Sequence, residues 1–254
     1  LVMEALIKSQ NSLMDSMQSR IKRYNQREMD QRLFVDLLTG NIAHDEEENY
    51  RIKEQRWPVP PYQIIYIEVD RIKQKLHELR EEEAQERIER IENLIREAFT
   101  GEQVVVLSNN GTFQCILKRT GDKEIGADYF EAIQREICEK TGYRATIGVS
   151  RAEDTYKRFG QAYQDARDAV EIAVCQNLES RVLCIEDAGF WKILKKISKQ
   201  DMCREFVEEK LNAFIEYDQE NERELLETLE ALVNNLGARN VTANALHLHR
   251  NTLI

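Results

Sequence analysis

Apolar residues near the start of the chain recur at alternating steps of four and three positions. These positions are Met3, Ile7, Gln10, Met14, Met17, Ile21 and Tyr24. Six of the seven are apolar, and residues 1–38 contain neither Gly nor Pro. This spacing is typical of the seam of a two-helix coiled coil, in which a polar Gln10 helps to fix the register. We therefore predict a long dimerising helix here, and an amphipathic helix packed on its own domain is the alternative.

The spacing changes after the segment WPVPP at residues 57–61. In YQIIYIEVD, residues 62–70, apolar and polar side chains alternate over most of the run, as is typical of a β-strand. A charged helical stretch follows to about Phe99. Its inward-facing residues are predicted to be Ile88, Ile91, Leu94 and Ile95. Two β-rich runs then flank Asn110-Gly111, a dipeptide that favours the tight turn of a β-hairpin because both residues tolerate positive φ.

The second half of this region alternates helices and strands. We predict a helix at 127–140, a buried strand at 145–149, a helix at 154–175 and a short strand at 181–185. One side of the 154–175 helix carries Phe159, Ala162, Ala166, Ala169 and Ala173. Small residues on that side suit close packing against a sheet, and from Phe190 onward the pattern is entirely helical.

These patterns predict an α+β protein in three parts. Residues 1–56 form a helical linker and coiled-coil dimerisation segment, of which 43–56 is polar. Residues 57–189 form an α/β domain, and residues 190–254 form an all-helical domain. The composition agrees, because 32% of the 254 residues are charged while Gly and Pro number only 10 and 3.

Charge and cysteine content narrow the class of function. The net charge of -10 and the pI of about 5.1 exclude a protein that binds polyanions over its whole surface. Any contact with nucleic acid must therefore come from a local face. The five cysteines are scattered without a C-x-x-C pair, which is typical of a reducing compartment and predicts a cytoplasmic protein. No apolar run is long enough to span a membrane, and a chain that begins with Leu1 is expected to be trimmed at its ends.

Three segments of the middle region resemble the palm-like domain of the diguanylate cyclases. They are YIEVDRIK (66–73), ATIGVS (145–150) and AYQDARDAVEIA (162–173). In that family an aspartate at the position of Glu68 binds a catalytic metal, and Gly-Gly-Asp-Glu-Phe occupies the hairpin turn. Here the turn reads NNGTF at residues 109–113, which keeps the phenylalanine but lacks both carboxylates. The resemblance implies a degenerate GGDEF-like α/β sandwich that has lost its catalysis.

No other catalytic or metal-binding set is predicted. Glu68 and Asp70 lie two apart on one strand face, where they either share a cation or serve as ordinary polar residues at a strand end. The four histidines have no metal-ligand spacing. We therefore expect no enzyme activity, no resident metal and no cofactor, whereas binding of a nucleotide by the degenerate domain stays open as an alternative function.

The end of the chain has the pattern of two short helices at a tight angle. ERELLETLEALVNN (222–235) is an amphipathic helix that Gly237 ends. Asn240 is predicted to cap a short helix, Val241–His247, and HRNTLI (249–254) begins another. This layout is that of a helix-turn-helix, although a corner between two helices in any bundle has a similar pattern. In a helix-turn-helix the start of the second helix enters the major groove.

The segments ELLETLEALVNN (224–235) and VTANALHLHRNTL (241–253) closely resemble the C-terminal domain of the PucR-type transcription regulators, and HLHRNTL is the most specific part of the match. These regulators include sugar-diacid and purine-catabolism regulators of bacteria. The resemblance extends upstream through residues 206–229 and to FVDLLTG at 34–40. It implies a dimeric DNA-binding regulator of a metabolic operon, with a small-molecule effector bound by an upstream sensor domain. The predicted DNA-binding residues are Thr242, His249, Arg250, Asn251 and Thr252.

Two of these side chains suit specific bases. Arg250 can donate two hydrogen bonds to guanine and Asn251 can pair with adenine, while Thr252 can reach a phosphate or a thymine methyl group. Two other classes of function stay open: a nucleotide-sensing signalling domain with a structural helical tail, and a pure dimerisation scaffold. The DNA complex itself is expected of the intact protein.

Overall fold

The chain divides into two compact units, Leu1–Ile193 and Leu194–Ile254. The computed structural model describes residues 2–41, 45–69, 72, 79–99, 101–109, 111–119, 126–176, 181–221, 224–235 and 237–249, except for the side chains of residues 2–9, 11–13, 16 and 45–49. The predicted boundaries at 56/57 and 189/190 stay a prediction.

Helices and strands are labelled in chain order. The helices are α1 (Val2–Thr39), α2 (Asp45–Glu54), α3 (Glu81–Ala98), α4 (Ala127–Thr141), α5 (Phe159–Cys175), α6 (Phe190–Ile197), α7 (Asp201–Asn221), α8 (Leu225–Asn234) and α9 (Arg239–Ala245). The strands are β1 (Tyr62–Val69), β2 (Val104–Asn109), β3 (Thr112–Lys118), β4 (Ala145–Val149) and β5 (Val182–Cys184). The predicted α+β class is confirmed.

The five strands form one sheet in the order β2-β3-β1-β4-β5. β1 is central and pairs antiparallel with β3 and β4, β2 pairs antiparallel with β3, and β4 pairs parallel with β5. Because successive side chains of a strand point to opposite faces, β1 contributes to two cores. Its Ile65, Ile67 and Val69 pack with buried residues of α3 and α4, whereas Tyr62 and Ile64 pack with α5 and the end of α1. The sheet is therefore covered on both faces.

α5 lies unusually close to the sheet. All five residues of its predicted inner side are buried, from Phe159 to Ala173. A Cβ atom placed on Gly148 of β4 would lie 2.0 Å from the backbone oxygen of Ala166. The alanines of α5 and the glycine of β4 therefore have one shared purpose, which is to let a helix backbone approach a strand backbone.

α1 has two parts with different surroundings. Near its C-terminal end Leu33 and Leu37 are buried in the domain, which is the packing expected of an amphipathic helix on its own domain. The seam residues described farther upstream, from Met14 to Tyr24, are 56–63% exposed. That exposure leaves the predicted coiled-coil seam open to a partner.

α2 lies in the polar part of the predicted helical linker, residues 43–56, for which the sequence predicted no separate helix. The helix has no apolar periodicity, so spacing alone could not indicate it. Among its described side chains, Tyr50–Glu54, Ile52 is buried in the domain, and Arg51 forms an ion pair of 2.7 Å with Asp36 of α1.

The second unit is helical, and its last helices differ in detail from the predicted ones. The carboxylate of Asp218 on α7 accepts hydrogen bonds of 2.8 and 2.9 Å from the first two backbone N–H groups of α8, so one side chain caps the next helix. α9 begins at Arg239 with Ala238 as its N-cap residue. Asn240 therefore lies inside the helix, and its predicted capping role is wrong.

None of the helices formed by the described residues combines the length and the hydrophobicity that crossing a membrane requires.

Candidate functional site

The hairpin between β2 and β3 is the first candidate site. Asn109 of β2 pairs with Thr112 of β3 at the end of the hairpin, and Gly111 before Thr112 has a φ of 83°. The hairpin was predicted at Asn110-Gly111 because both residue types tolerate positive φ, and Gly111 adopts it. Asn110 itself lies outside the described residues.

Glu68 of β1 lies beside this turn. Its register partners are Thr112 on β3 and Thr146 on β4. Thr112 is buried, and its hydroxyl donates to the backbone oxygen of Asn109 over 2.7 Å while accepting a 3.1 Å hydrogen bond from Gln114. A neutral hydroxyl thus stands next to Glu68 where the diguanylate cyclases are expected to place a carboxylate.

The chemistry of this site follows from the missing charges. Two divalent cations that neutralise a triphosphate need several carboxylate ligands, and the neighbours of Glu68 on both adjacent strands are threonines. Asp70, the second carboxylate predicted on this strand face, lies outside the described residues. Within the described ranges, no three His, Cys, Asp or Glu side chains are grouped so that they could hold a metal ion.

The cysteines offer no activated nucleophile at the two positions where the pKa is shifted. Burial raises the pKa of the fully enclosed Cys115 thiol, and burial together with the charges of Asp187 and Glu186 raises the pKa of Cys184 to about 11. Both side chains stay protonated at neutral pH, and of the five cysteines only Cys115 is buried.

The C-terminal helix pair is the second candidate site. Residues 235–238 connect α8 to α9, and Gly237 has a φ of 77°. Two residues after the end of α9, His247 has a left-handed φ of 54°, and the N–H of Leu248 donates to the oxygen of Ala243 over 2.8 Å. The chain therefore turns sharply at His247 before the segment in which the recognition residues were predicted.

The predicted DNA-binding residues fall into three groups. His249 is exposed and follows the turn that ends α9. Arg250, Asn251 and Thr252 lie outside the described residues. Thr242 is completely buried and its hydroxyl donates to the backbone oxygen of Ala238, so it supports α9 from within and presents no surface to a ligand.

A cluster around Glu92 of α3 was not predicted. This side chain is only 2% exposed, yet its carboxylate binds Arg27 of α1, Arg96 of α3 and Ser108 of β2. The sequence carries one signal for it. Glu92 lies four residues after Ile88 and three before Ile95, on the inward side of an otherwise apolar stripe.

Comparison with known proteins identifies the middle of the chain. A family model described as a GGDEF-like domain matches residues 40–172, slightly more than half of the 254 residues. No curated protein gives a significant match.

Several solved structures are similar to the chain. The active GGEEF domain of a diguanylate cyclase from Vibrio cholerae is 15% identical, with a TM-score of 0.40 over 61% of this chain and 95% of that chain. A regulator of polyketide synthase expression from Bifidobacterium adolescentis is 16% identical, with a TM-score of 0.39 over 87% of this chain and 82% of that chain. The GGDEF domain of DgcB from Caulobacter crescentus, in complex with c-di-GMP, is 13% identical, with a TM-score of 0.39 over 49% of this chain and 78% of that chain.

Proposed function

Since the chain belongs to the GGDEF-like domain family, we propose that it is a dimeric DNA-binding transcription regulator whose GGDEF-like domain has no cyclase activity. The observation that carries the proposal is the short helix α9, which has a left-handed residue before it at Gly237 and another after it at His247. In a helix-turn-helix, a first helix is followed by a tight turn and by the second helix, which enters the major groove.

The residues after α9 supply the chemistry of base recognition. The turn at His247 is followed by exposed His249 and then by Arg250, Asn251 and Thr252. A guanidinium group and a side-chain amide are the groups that pair in a bidentate manner with guanine and adenine. The resemblance of HLHRNTL to the PucR-type regulators supports the same role. Thr242 is left out of this contact surface because it is buried.

The charge of the chain constrains how it binds DNA. With a net charge of -10, the protein has no general attraction for the phosphate backbone. Affinity then depends on a local face and on the presence of two such faces in a dimer. The exposed seam residues of α1 support a dimer, since two reading helices at a fixed separation favour a site with two half-sites.

The absence of cyclase activity rests on the position of Thr112. It stands directly opposite Glu68, at a position of the hairpin motif where the cyclases carry a carboxylate, and a hydroxyl cannot take over the charge of a metal ligand. In this proposal the domain is a rigid body between the dimerising helix and the helices that read DNA.

Selection from a random double-stranded DNA pool tests the proposal with the intact protein. We expect enrichment of a two-fold or repeated sequence by the natural protein. Arg250→Ala should lose the enrichment at one position of each half-site, whereas Arg204→Ala, an exposed arginine of α7, should not. An intact protein that enriches no sequence at low salt contradicts the proposal.

Nucleotide binding is a second candidate, favoured by one observation. Thr112, Gln114 and Thr146 are buried polar side chains grouped around Glu68, whereas a purely structural sheet face could carry apolar residues there. Calorimetric titration with GTP and Mg²⁺ distinguishes the candidates. Binding that Glu68→Ala abolishes, together with failure of the DNA selection, favours a nucleotide sensor, and any turnover that this change abolishes overturns the absence of cyclase activity.

A further inference from the structure

An ion pair attaches α6 to α5 of the GGDEF-like domain. The ammonium group of Lys192 on α6 donates to one carboxylate oxygen of Asp165 on α5 over 3.1 Å, and the side-chain amide of Gln161 donates to the other oxygen over 2.8 Å. The side chains of Lys192 and Asp165 are only 19% and 7% exposed. This pair is therefore largely withdrawn from water, unlike the exposed pair of Lys210 and Glu209 on α7.

Apolar packing contributes little to the attachment of α6. None of the eight residues of this helix is buried, and all of them are described. The large side chains of Phe190, Trp191 and Ile193 are 66%, 44% and 53% exposed. Burial of apolar surface, which holds α5 against the sheet, is thus weak at α6. A single directional contact then has most influence on where this helix points.

The polar side of α6 is the side that faces α5. Each residue of an α-helix advances by about 100° around the axis, which places Lys192 roughly 170° from the mean direction of the apolar residues. These residues are Phe190, Trp191, Ile193, Leu194 and Ile197. An amphipathic helix ordinarily packs on its domain by its apolar side. Because α6 is attached by the opposite side, its orientation is set by charge and not by hydrophobic contact.

α6 begins in the first compact unit and ends in the second, because the boundary between Ile193 and Leu194 lies within it. We propose that Asp165 and Lys192 are positioning residues, which fix the direction of α6 at the domain and thereby set the separation of half-sites that the intact protein prefers. The inference rests on the DNA binding in the proposed function and adds what determines the geometry of the DNA site.

The enclosure of Asp165 gives the ion pair this influence. A carboxylate that is 7% exposed cannot fully replace a lost ammonium partner by water, so a different direction of α6 leaves it with fewer partners. Half-sites at an unsuitable separation require that different direction. The intact protein therefore binds them more weakly, by at most the free energy of the ion pair. A variant without the pair loses this discrimination.

The test uses four variants of the intact protein. Lys192→Met removes the charge and keeps most of the aliphatic stem, whereas Lys192→Arg keeps the charge. Asp165→Asn/Lys192→Met removes both charges and leaves no unpaired buried carboxylate, so loss of direction is separated from loss of folding. Lys196→Met is the matched control at an exposed lysine one turn later.

Hydrogen exchange of α6, followed by mass spectrometry, measures the attachment in the absence of DNA. We expect exchange in Phe190–Ile197 to become about tenfold to a hundredfold faster in Lys192→Met and in the double variant, the effect of losing a hydrogen bond between charged groups. Lys192→Arg should restore most of the protection, and Lys196→Met should leave it unchanged. Equal exchange in Lys192→Met and Lys196→Met overturns the role of the ion pair.

Binding to pairs of the selected half-site, joined by spacers of graded length, measures the preferred separation. We expect the natural protein and Lys196→Met to favour a narrow range of spacers. Both variants without the charge pair should bind the same half-site sequence, with a preference among spacers that is weaker by up to about tenfold to a hundredfold. A variant that keeps the natural preference in spite of faster exchange in α6 overturns the control of separation.

The two measurements separate this inference from the proposed function. If the natural protein selects no DNA, the proposed function fails and the control of half-site separation fails with it, while hydrogen exchange still decides whether the ion pair holds α6. If DNA is selected and the preferred separation does not depend on Lys192, only this inference fails.

Discussion

The GGDEF-like domain and the C-terminal unit are built from similarly charged, helix-rich sequence but differ greatly in what they bury. The domain encloses both faces of its sheet, and aromatic residues such as Trp57, Tyr62 and Phe159 are fully buried. Among the described residues of the C-terminal unit, only Thr242 and Ala243 are buried. Large apolar side chains of α7 such as Met202 and Phe206 are instead more than half exposed.

This difference indicates where the two regions obtain their stability. Burial of apolar surface contributes most of the free energy of folding, so the domain can fold by its own packing. The helices of the C-terminal unit rely on caps and short connections, and a region of that kind opens more readily. In the proposed regulator, a unit that opens readily would order its contacts when it binds DNA.

The largest expected effect on stability comes from replacing a phenylalanine by alanine, which we compare between the two regions. The ring of Phe159 is fully buried against four other aromatic rings, with centroids 5.4–6.3 Å away. Phe159→Ala should therefore lower the free energy of unfolding by about 3–5 kcal/mol. Phe206→Ala, at a ring that is 59% exposed, should change it by less than about 0.5 kcal/mol.

Urea unfolding followed by circular dichroism measures both variants. Equal destabilisation by the two substitutions would contradict the difference in burial between the two regions, because it would mean that a partner covers α7 in solution. We expect the two regions to unfold in separate transitions, with Phe159→Ala displacing only the one at higher urea concentration.

Close packing of α5 on the sheet gives the next largest effect. Gly148→Ala brings a Cβ atom to 2.0 Å from the oxygen of Ala166, a backbone atom that cannot turn aside. We expect a loss of about 3 kcal/mol, the upper end of the range for overpacking. Gly126→Ala is the control, since a Cβ there meets no atom within 4 Å. Thermal unfolding compares the two, and equal midpoints would show that α5 can move away from the sheet.

The elements of the domain could be predicted because each has a strong local pattern. Alternation indicates β1, the Asn110-Gly111 dipeptide indicates the hairpin, and alanines at helical spacing indicate α5. α2 could not be found this way, since its sequence has no apolar periodicity and Ile52 is the only buried residue among its described side chains. The sequence pattern also left two alternatives open for α1, because the same helix is buried in the domain at Leu33 and exposed at Met14.

The candidate sites were less predictable, for a physical reason. Replacement of the hairpin carboxylates is visible in the sequence, but the pairing of Glu68 with Thr112 depends on strand register. The Glu92 cluster joins residues 65 positions apart, and no local pattern encodes that contact. Thr242 has the polarity of a surface residue, yet its hydroxyl is satisfied by the backbone of its own helix and the side chain is enclosed.

A smaller effect is expected at the cap that holds α8. Asp218→Ala removes the acceptors of two backbone N–H groups and a negative charge from the positive end of the helix. We expect a loss of about 1 kcal/mol in the transition of the C-terminal unit alone. Glu220→Ala, at an exposed site on the same helix, is the control. Hydrogen exchange of Leu225–Asn234 measures the change, and faster exchange in the sheet strands as well would mean that the two regions do not open separately.

The smallest effect concerns pH and the anchored part of α1. Burial raises the pKa of Asp30 above its usual value of 3.8, although the hydrogen bonds from Trp57 and Gln26 partly oppose this change. The folded protein therefore holds this proton more tightly than the unfolded chain does. The resulting contribution to stability is fully present below pH 3.8 and is lost as the pH rises through the pKa of the folded state.

Asp30→Asn should remove this loss, because an amide cannot ionise and its oxygen can still accept from the indole of Trp57. We expect the stability of the variant to fall less than that of the natural protein as the pH rises from 3.8, by an amount smaller than each effect above. Asp15→Asn, at an exposed site on the same helix, should leave the pH dependence unchanged. Urea unfolding at a series of pH values measures the slope. Because Asp30 belongs to the domain side of α1, the change must appear in the domain transition, and a slope altered only in the C-terminal transition would mean that α1 is not anchored where Trp57 holds it.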